Sequence, residues 1–110
     1  MIETPQAVEN AEAISAIEGI DALLIGSNDL ALEMGIPGQI GHERVKVAYA
    51  TVAAACRRHN KVLGMGGVYD QELSTRYIGM GARLILGTSD HSLLLNAATQ
   101  RAEFLREISL

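Results

Sequence analysis

The sequence predicts an α/β chain of repeated strand–helix units, and three observations carry that prediction. Short apolar runs alternate with longer stretches in which apolar residues recur at helical spacing. The last three of those runs leave through glycine, at Gly26, at Gly64 with Gly66-Gly67, and at Gly87. Aromatic residues make up only 4% of the 110 residues, whereas Ala, Leu, Ile, Gly and Val dominate. That composition suits helices packed closely on a parallel sheet, and a hydrophobic content of 48% is enough for one core.

Met1-Ile2 reads as a strand fragment ending at Glu3. Thr4 and Pro5 then form a helix start, with Thr4 as N-cap and Pro5 at the first helical position. Val8, Ala11, Ile14 and Ile17 follow at helical spacing, and Gly19 closes that helix. Ala22-Leu23-Leu24-Ile25 is a strand, since four consecutive apolar residues suit a strand covered on both faces. A polar turn, Gly26-Ser27-Asn28-Asp29, leads into a helical turn over 30–34, which Gly35-Ile36-Pro37-Gly38 breaks. A long helix is predicted from about His42 to His59, with Val45, Ala48, Val52 and Cys56 on one face and Asn60 at its end.

Val62 to Met65 forms the next strand, with a glycine-rich exit at 64–67. Asp70 caps a helix carrying Leu73, Tyr77 and Met80, and Gly81 stops it. The last strand, 83–87, runs into Thr88-Ser89-Asp90, with Asp90 the expected N-cap of the final helix. Leu94, Ala98, Arg101, Ala102 and Leu105 are expected along the inner side of that helix. No linker or low-complexity segment divides the chain, so residues 1–110 read as one domain.

Repeated βα units imply parallel strands and right-handed crossovers. A doubly wound sheet tolerates the same pattern, but glycines at several strand exits favour the functional face of a barrel. The first strand is only two or three residues long and begins at Met1, whereas parallel strands usually span four to eight. A (βα)8 barrel takes about 250 residues, so the expectation is the C-terminal half of a TIM-type barrel, four βα units with a truncated first strand.

The net charge is −4, and no basic cluster exists beyond Arg57-Arg58, which excludes nucleic acid as the main partner. A single Cys56 permits no internal disulfide and fits a reducing compartment, and its apolar surroundings mark it as a buried structural thiol. The N-terminus lacks a basic stretch followed by an apolar one, and no apolar run reaches the ~18 residues of a membrane span. A cytoplasmic location without membrane association is expected.

Ligands of α/β proteins gather at the C-terminal ends of strands. Glu3 and Asp29 occupy two successive strand ends, with the glycine-opened turn beside Asp29. That arrangement points to a divalent-metal site that also holds an anion. The histidines are weaker candidates: His42 and His59 lie at helix ends, where capping or surface roles suit them, and only His91 falls near the site. Lys61 precedes its strand, on the side away from the chemistry.

Met1-Ile2-Glu3-Thr4-Pro5, the stretch Ile25-Gly26-Ser27-Asn28-Asp29-Leu30 and Met34-Gly35-Ile36-Pro37-Gly38 together resemble the HpcH/HpaI aldolase family, class II pyruvate aldolases related to the citrate lyase β-subunit. The likeness runs on through Gly64, Gly66-Gly67, Gly81-Ala82-Arg83 and Gly87-Thr88-Ser89-Asp90. The resemblance implies that Glu3 and Asp29 bind Mg²⁺, Mn²⁺ or Co²⁺, their 26-position separation matching the family's ligand spacing. It also implies that the amides of Ser27, Asn28 and Asp29 face the carboxylate of a 2-keto acid. Gly66, Gly67 and Ser89, at the last two strand exits, would serve the aldehyde end. The implied reaction is reversible cleavage of a 2-keto-4-hydroxy acid to pyruvate and an aldehyde. A hydroxyacyl-CoA or citrate lyase-type cleavage, or a non-catalytic assembly module, are the alternatives. The resemblance places the family's base histidine and substrate-binding arginine on earlier strands, and nothing here replaces them. His91 is the only candidate base near the site, and Arg83 starts its strand at the wrong end. An open half-barrel exposes strand edges and an apolar sheet face, so a homo-oligomer is expected.

Overall fold

Ile2, β1 (Ala22–Gly26), β2 (Val62–Gly66) and β3 (Ala82–Ile85) lie side by side in chain order, all parallel. The computed structural model describes residues 1–108 of the chain. The first segment joins the sheet as a single bridge: the Ile2 amide donates to the Leu24 carbonyl at 2.7 Å, and the Gly26 amide donates back to Ile2 at 3.1 Å. Ala22 pairs with Val62 and the register runs unbroken to Gly26 and Gly66. Between β2 and β3 it shifts by one residue at Arg83, so that Leu63 faces Ala82 and Gly64 faces Leu84.

Helices connect these strands. Thr4 accepts from the Ala7 amide and starts α1 (Pro5–Glu9), as the Thr-Pro pair predicts. The expected single helix is broken at Asn10, and α2 (Ala11–Ser15) continues from it. Asn10 leaves the helical region with φ −88° and ψ 5°, and its side-chain amide joins its backbone amide on the Gln6 carbonyl. The helix also ends before Ile17, which is left exposed instead of facing the core.

After β1 comes α3 (Ser27–Glu33), with Gly26 as its N-cap. Ser27, Asn28 and Asp29 are therefore the first turn of a helix and not a turn preceding one. α4 (Glu43–Arg58) is capped by the His42 ring, which accepts from the Arg44 amide, and ends at His59. Both histidines have the capping positions expected of them. At the other end of α4, Glu12 receives hydrogen bonds from Arg58 and His59, and these hold its carboxyl below the ordinary carboxylate range. α5 (Gln71–Gly79) is capped by Asp70, which accepts from the Leu73 amide. α6 (Asp90–Arg106) has Ser89 at its N-cap, so Asp90 stands one position inside the helix. Its carboxylate accepts from the His91 amide instead of closing the first turn.

The core lies on one face of the sheet. Leu23, Ile25, Leu63, Met65 and Ala82 point into it and meet Val45, Ala48, Tyr49, Val52 and Cys56 of α4. The opposite face carries Leu24, Val62 and Leu84, and the last two are exposed. Only one layer of helices covers the described sheet, so in β1, read from sequence as covered on both faces, Ala22 and Leu24 are only partly buried.

α6 departs most from expectation. None of its residues is buried, and Leu94, placed on the inner side by periodicity, is 74% exposed. Leu93, Leu95, Phe104 and Leu105 are exposed as well. Spacing defines an apolar stripe on a helix, but burial needs an element opposite, and no described element supplies one. The molecule consequently measures 64 × 28 × 21 Å with a radius of gyration of 17.1 Å, against about 13 Å for a compact chain of this size. No helix among the described residues is long and apolar enough to cross a membrane.

Candidate functional site

The β1–α3 corner forms the site because a buried strand runs directly into a helix with no intervening loop. Gly26 ends β1, and the amides of Ser27, Asn28 and Asp29 occupy the first turn of α3, where no intrahelical acceptor exists. No side chain caps them. Asp29 stands exposed in that turn, where the helix dipole favours a carboxylate.

Glu3 reaches the same corner from the neighbouring segment. Its carboxylate lies against Gly26 so closely that a Cβ on Gly26 would fall 2.8 Å from both Glu3 Cγ and Oε1. Glycine is needed there for close approach, not for backbone freedom, since φ is −86°. On the other side, the Asn28 side chain donates to the Gly67 carbonyl at 3.2 Å. Gly67 has φ +76°, and a Cβ on it would come within 2.6 Å of Asn28 Nδ2, so both conformation and space demand glycine.

A cleft of about 120 Å³ lies above this corner, lined by Met1, Gly26, Ser27, Asn28, Asp29, Gly66, Gly67 and Leu86. The structure thus brings together five of the residues expected at the substrate end; Glu3 does not itself line the cleft but lies against Gly26, which does. Ser89 and His91 do not line it. They lie at the start of α6, where Ser89 Oγ is 3.1 Å from His91 Nδ1 and 2.8 Å from Ser92 Oγ. A larger groove of about 310 Å³ lies between α1 and α4, is mostly apolar, and holds none of the candidate residues.

Glu3 and Asp29 are a donor set suited to a hard cation that keeps open positions for water and substrate, as Mg²⁺ does with one or two carboxylates. Among the described residues no three His, Cys, Asp or Glu side chains converge to make a closed metal cage. An open site with one carboxylate in the cleft wall and a second against Gly26 differs in design from a closed cage, and the residues present suit the first.

The Ser27 side chain turns away from the cleft. Ser27 is fully buried, and its Oγ lies 2.8 Å from the hydroxyl of Tyr49, itself fully buried in α4. Burial pushes the Tyr49 phenol up to about 12, the Ser27 contact opposing it, so the hydroxyl keeps its proton at neutral pH. The Tyr49 ring stacks on Tyr77 with centroids 3.7 Å apart. Sequence reasoning missed Tyr49 in this place. Its spacing from Val45 and Val52 on α4 marks it as inward-facing, but nothing in the sequence pairs it with Ser27.

Comparison with known proteins decides the kinship of this corner. The family model for HpcH/HpaI aldolase/citrate lyase matches residues 1–97. The chain belongs to that family. Among curated members of the HpcH/HpaI family, it is 38% identical to 4-hydroxy-4-methyl-2-oxoglutarate aldolase tasA of Hapsidospora irregularis, a match covering 100% of this chain and 42% of the relative. It is 36% identical to a hydroxypyruvate/pyruvate aldolase of Cupriavidus necator, over 96% of this chain and 39% of the relative. The crystal structure of an HpcH/HpaI aldolase from Desulfitobacterium hafniense superimposes with a TM-score of 0.88 at 29% identity, over 97% of this chain and 41% of the other. A family member from Burkholderia cenocepacia gives 0.87 at 34% identity, covering 96% of this chain and 41% of its own. The chain therefore spans about two fifths of the length of the relatives it matches.

Proposed function

We propose that this chain carries the metal and keto-acid half of a class II pyruvate aldolase site, on about half of a (βα)8 barrel. The single observation behind this reading is the seating of the Glu3 carboxylate against Gly26, at the corner whose next turn presents Asp29. The likeness to relatives named as aldolases of 2-keto acids points the same way. The barrel reading draws on the four parallel segments in chain order and on helices covering one sheet face only. In a closed barrel the face with Leu24, Gly64 and Leu84 would turn inward.

In this reading Glu3 and Asp29 hold Mg²⁺, Mn²⁺ or Co²⁺, which supplies Lewis-acid polarisation of a keto oxygen when bound. The chain's own residues do the remaining work. The amides of Ser27, Asn28 and Asp29 have no acceptor within α3 and offer hydrogen bonds to the substrate carboxylate. Asn28 holds the Gly67 carbonyl and so fixes the cleft's width between β1 and β2. Gly66 and Gly67 leave backbone open to the substrate's far end.

Gly26→Ala tests the seating directly. Alanine tolerates the backbone at position 26, but it is a poorer N-cap than glycine, and this offsets the gain from a less flexible unfolded chain, so stability should change by no more than about 1 kcal/mol. The new Cβ must turn the Glu3 carboxylate aside, and Mn²⁺ affinity, read by calorimetric titration, should fall at least tenfold. Unchanged Mn²⁺ affinity in a folded Gly26→Ala chain would remove Glu3 from the site.

We also propose that the chain self-associates. The exposed leucines of α6, the open edge at β3 and the uncovered apolar sheet face together make a large apolar surface for a soluble monomer. Sedimentation equilibrium at tens of micromolar should give a mass of at least twice the chain's own; a stable monomer contradicts the proposal.

A further inference from the structure

The buried hydroxyl pair behind the cleft carries a further inference, which rests on the metal reading above. Besides the ladder that pairs Gly26 with Gly66, three hydrogen bonds among the described residues fix the β1–α3 corner, and they pull in different directions. The Gly26 amide donates to Ile2 at 3.1 Å, toward the segment that bears Glu3. The Asn28 side chain donates to Gly67 at 3.2 Å, toward the exit of β2. Both run sideways, to the extended segments flanking β1. The 2.8 Å contact between Ser27 Oγ and Tyr49 Oη is the one that ties the corner down onto the helix layer.

That tie is itself braced. The Tyr49 ring lies within 9° of parallel to Tyr77, and the Tyr77 hydroxyl donates to the Ile40 carbonyl at 2.7 Å. Tyr77 thus has its own partner in the backbone ahead of α4, which leaves the Tyr49 hydroxyl to Ser27. A core that needed only volume at these places could use phenylalanine and alanine. Burying two hydroxyls completely gives little net stabilisation, because one neutral hydrogen bond only narrowly offsets their loss of water. What the pair adds is direction. Ser27 follows Gly26, where Glu3 is seated, and precedes Asp29 by two positions, so its height above the sheet sets where the first turn of α3 presents Asp29.

We propose that Tyr49 is a positioning residue for the Glu3–Asp29 pair, acting through its hydroxyl on Ser27. Tyr49 touches neither metal nor substrate. Its role is to hold the first turn of α3 at the height at which the two carboxylates share one cation.

The test measures Mn²⁺ binding to this chain by the electron paramagnetic resonance signal of free Mn²⁺, with thermal melting recorded in parallel. The chains are wild type, Tyr49→Phe, Ser27→Ala, the double variant and Asp29→Asn. Tyr49→Phe keeps the stacked ring and removes only the oxygen. Each single variant should weaken Mn²⁺ binding three- to tenfold. The double variant should be weakened to the same extent and no further, since both changes break one bond. Its melting temperature should nevertheless rise above those of the single variants, because no buried hydroxyl is left without a partner. Affinity that stays at the wild-type value in Tyr49→Phe, or that tracks melting temperature through the series, overturns the inference and leaves the pair structural. If Tyr49→Phe does not fold, Ser27→Ala decides by the same criterion. If wild type fails to bind Mn²⁺, or Asp29→Asn binds it equally well, the metal reading fails and this inference falls with it.

Discussion

Replacing Asp29 with alanine should lower the Mn²⁺ affinity of this chain by about 10²-fold or more. Loss of an outer-shell partner of a metal ligand typically costs 10- to 100-fold in affinity, and loss of one of only two carboxylate ligands costs at least the upper end of that range. The fold should survive. Asp29 is exposed on α3, and its removal forfeits only the carboxylate's favourable position at a helix start, about 0.3–1 kcal/mol. Leu30 and Ala31, the residues of α3 that enter the core, are untouched. Calorimetric titration alongside thermal melting separates the two effects. A variant that melts like wild type and binds Mn²⁺ equally well would show that Asp29 only stabilises its helix.

The second large effect concerns turnover. Retro-aldol cleavage needs a polarised ketone, a base for the 4-hydroxyl proton, and groups that hold both ends of the substrate. Among the described residues lining the cleft there is no histidine, lysine or arginine. His91 lies with Ser89 and Ser92 at the start of α6, engaged in their hydrogen bonds. A positioned general base contributes about 10²–10⁴-fold, and misplacement of the substrate by an ångström costs about another 10²-fold. This chain assayed alone should therefore cleave a 2-keto-4-hydroxy acid at least about 10⁴-fold more slowly than a full-length aldolase of the family. Pyruvate release, followed with a coupled lactate dehydrogenase, measures this. Chelator-sensitive turnover on the order of one per second would contradict it and make His91 the first residue to replace.

Much of this arrangement is legible in the residue order because its causes are local. Asp70 caps α5 and His42 caps α4 through bonds to amides two or three residues away, and such contacts leave a signature in sequence. The strands at β1 and β2 follow from short apolar runs, and Cys56 is buried as its apolar neighbours require. Glu3 and Asp29 are legible as strand-end carboxylates, and both do stand at the β1–α3 corner.

What was not legible depends on partners distant in sequence. Periodicity marks Leu94 and Leu105 as one stripe of α6, but it carries no information on whether anything lies opposite that stripe. The break at Asn10 falls at a polar residue with a side-chain bond to Gln6, which an apolar pattern does not register. Ser27 reads as a polar residue open to substrate, yet its hydroxyl points into the core because Tyr49, 22 positions later, is waiting there. The start of α3 at Ser27 was obscured for the same reason, since two small polar residues after glycine look like a turn until a buried partner draws the first of them into a helix.

The central claim is that Glu3 and Asp29 together hold one divalent cation, and paramagnetic broadening by Mn²⁺ tests it most directly. Substoichiometric Mn²⁺ added to the ¹⁵N-labelled chain broadens the amide resonances nearest the bound ion first. The account predicts that the signals of residues 2–4 and 26–29 disappear together, before those around Glu9, Glu12 and Glu43 on the outer helices. Broadening that begins at those helix carboxylates, or that spreads evenly over the acidic surface while residues 2–4 and 26–29 stay sharp, would contradict it.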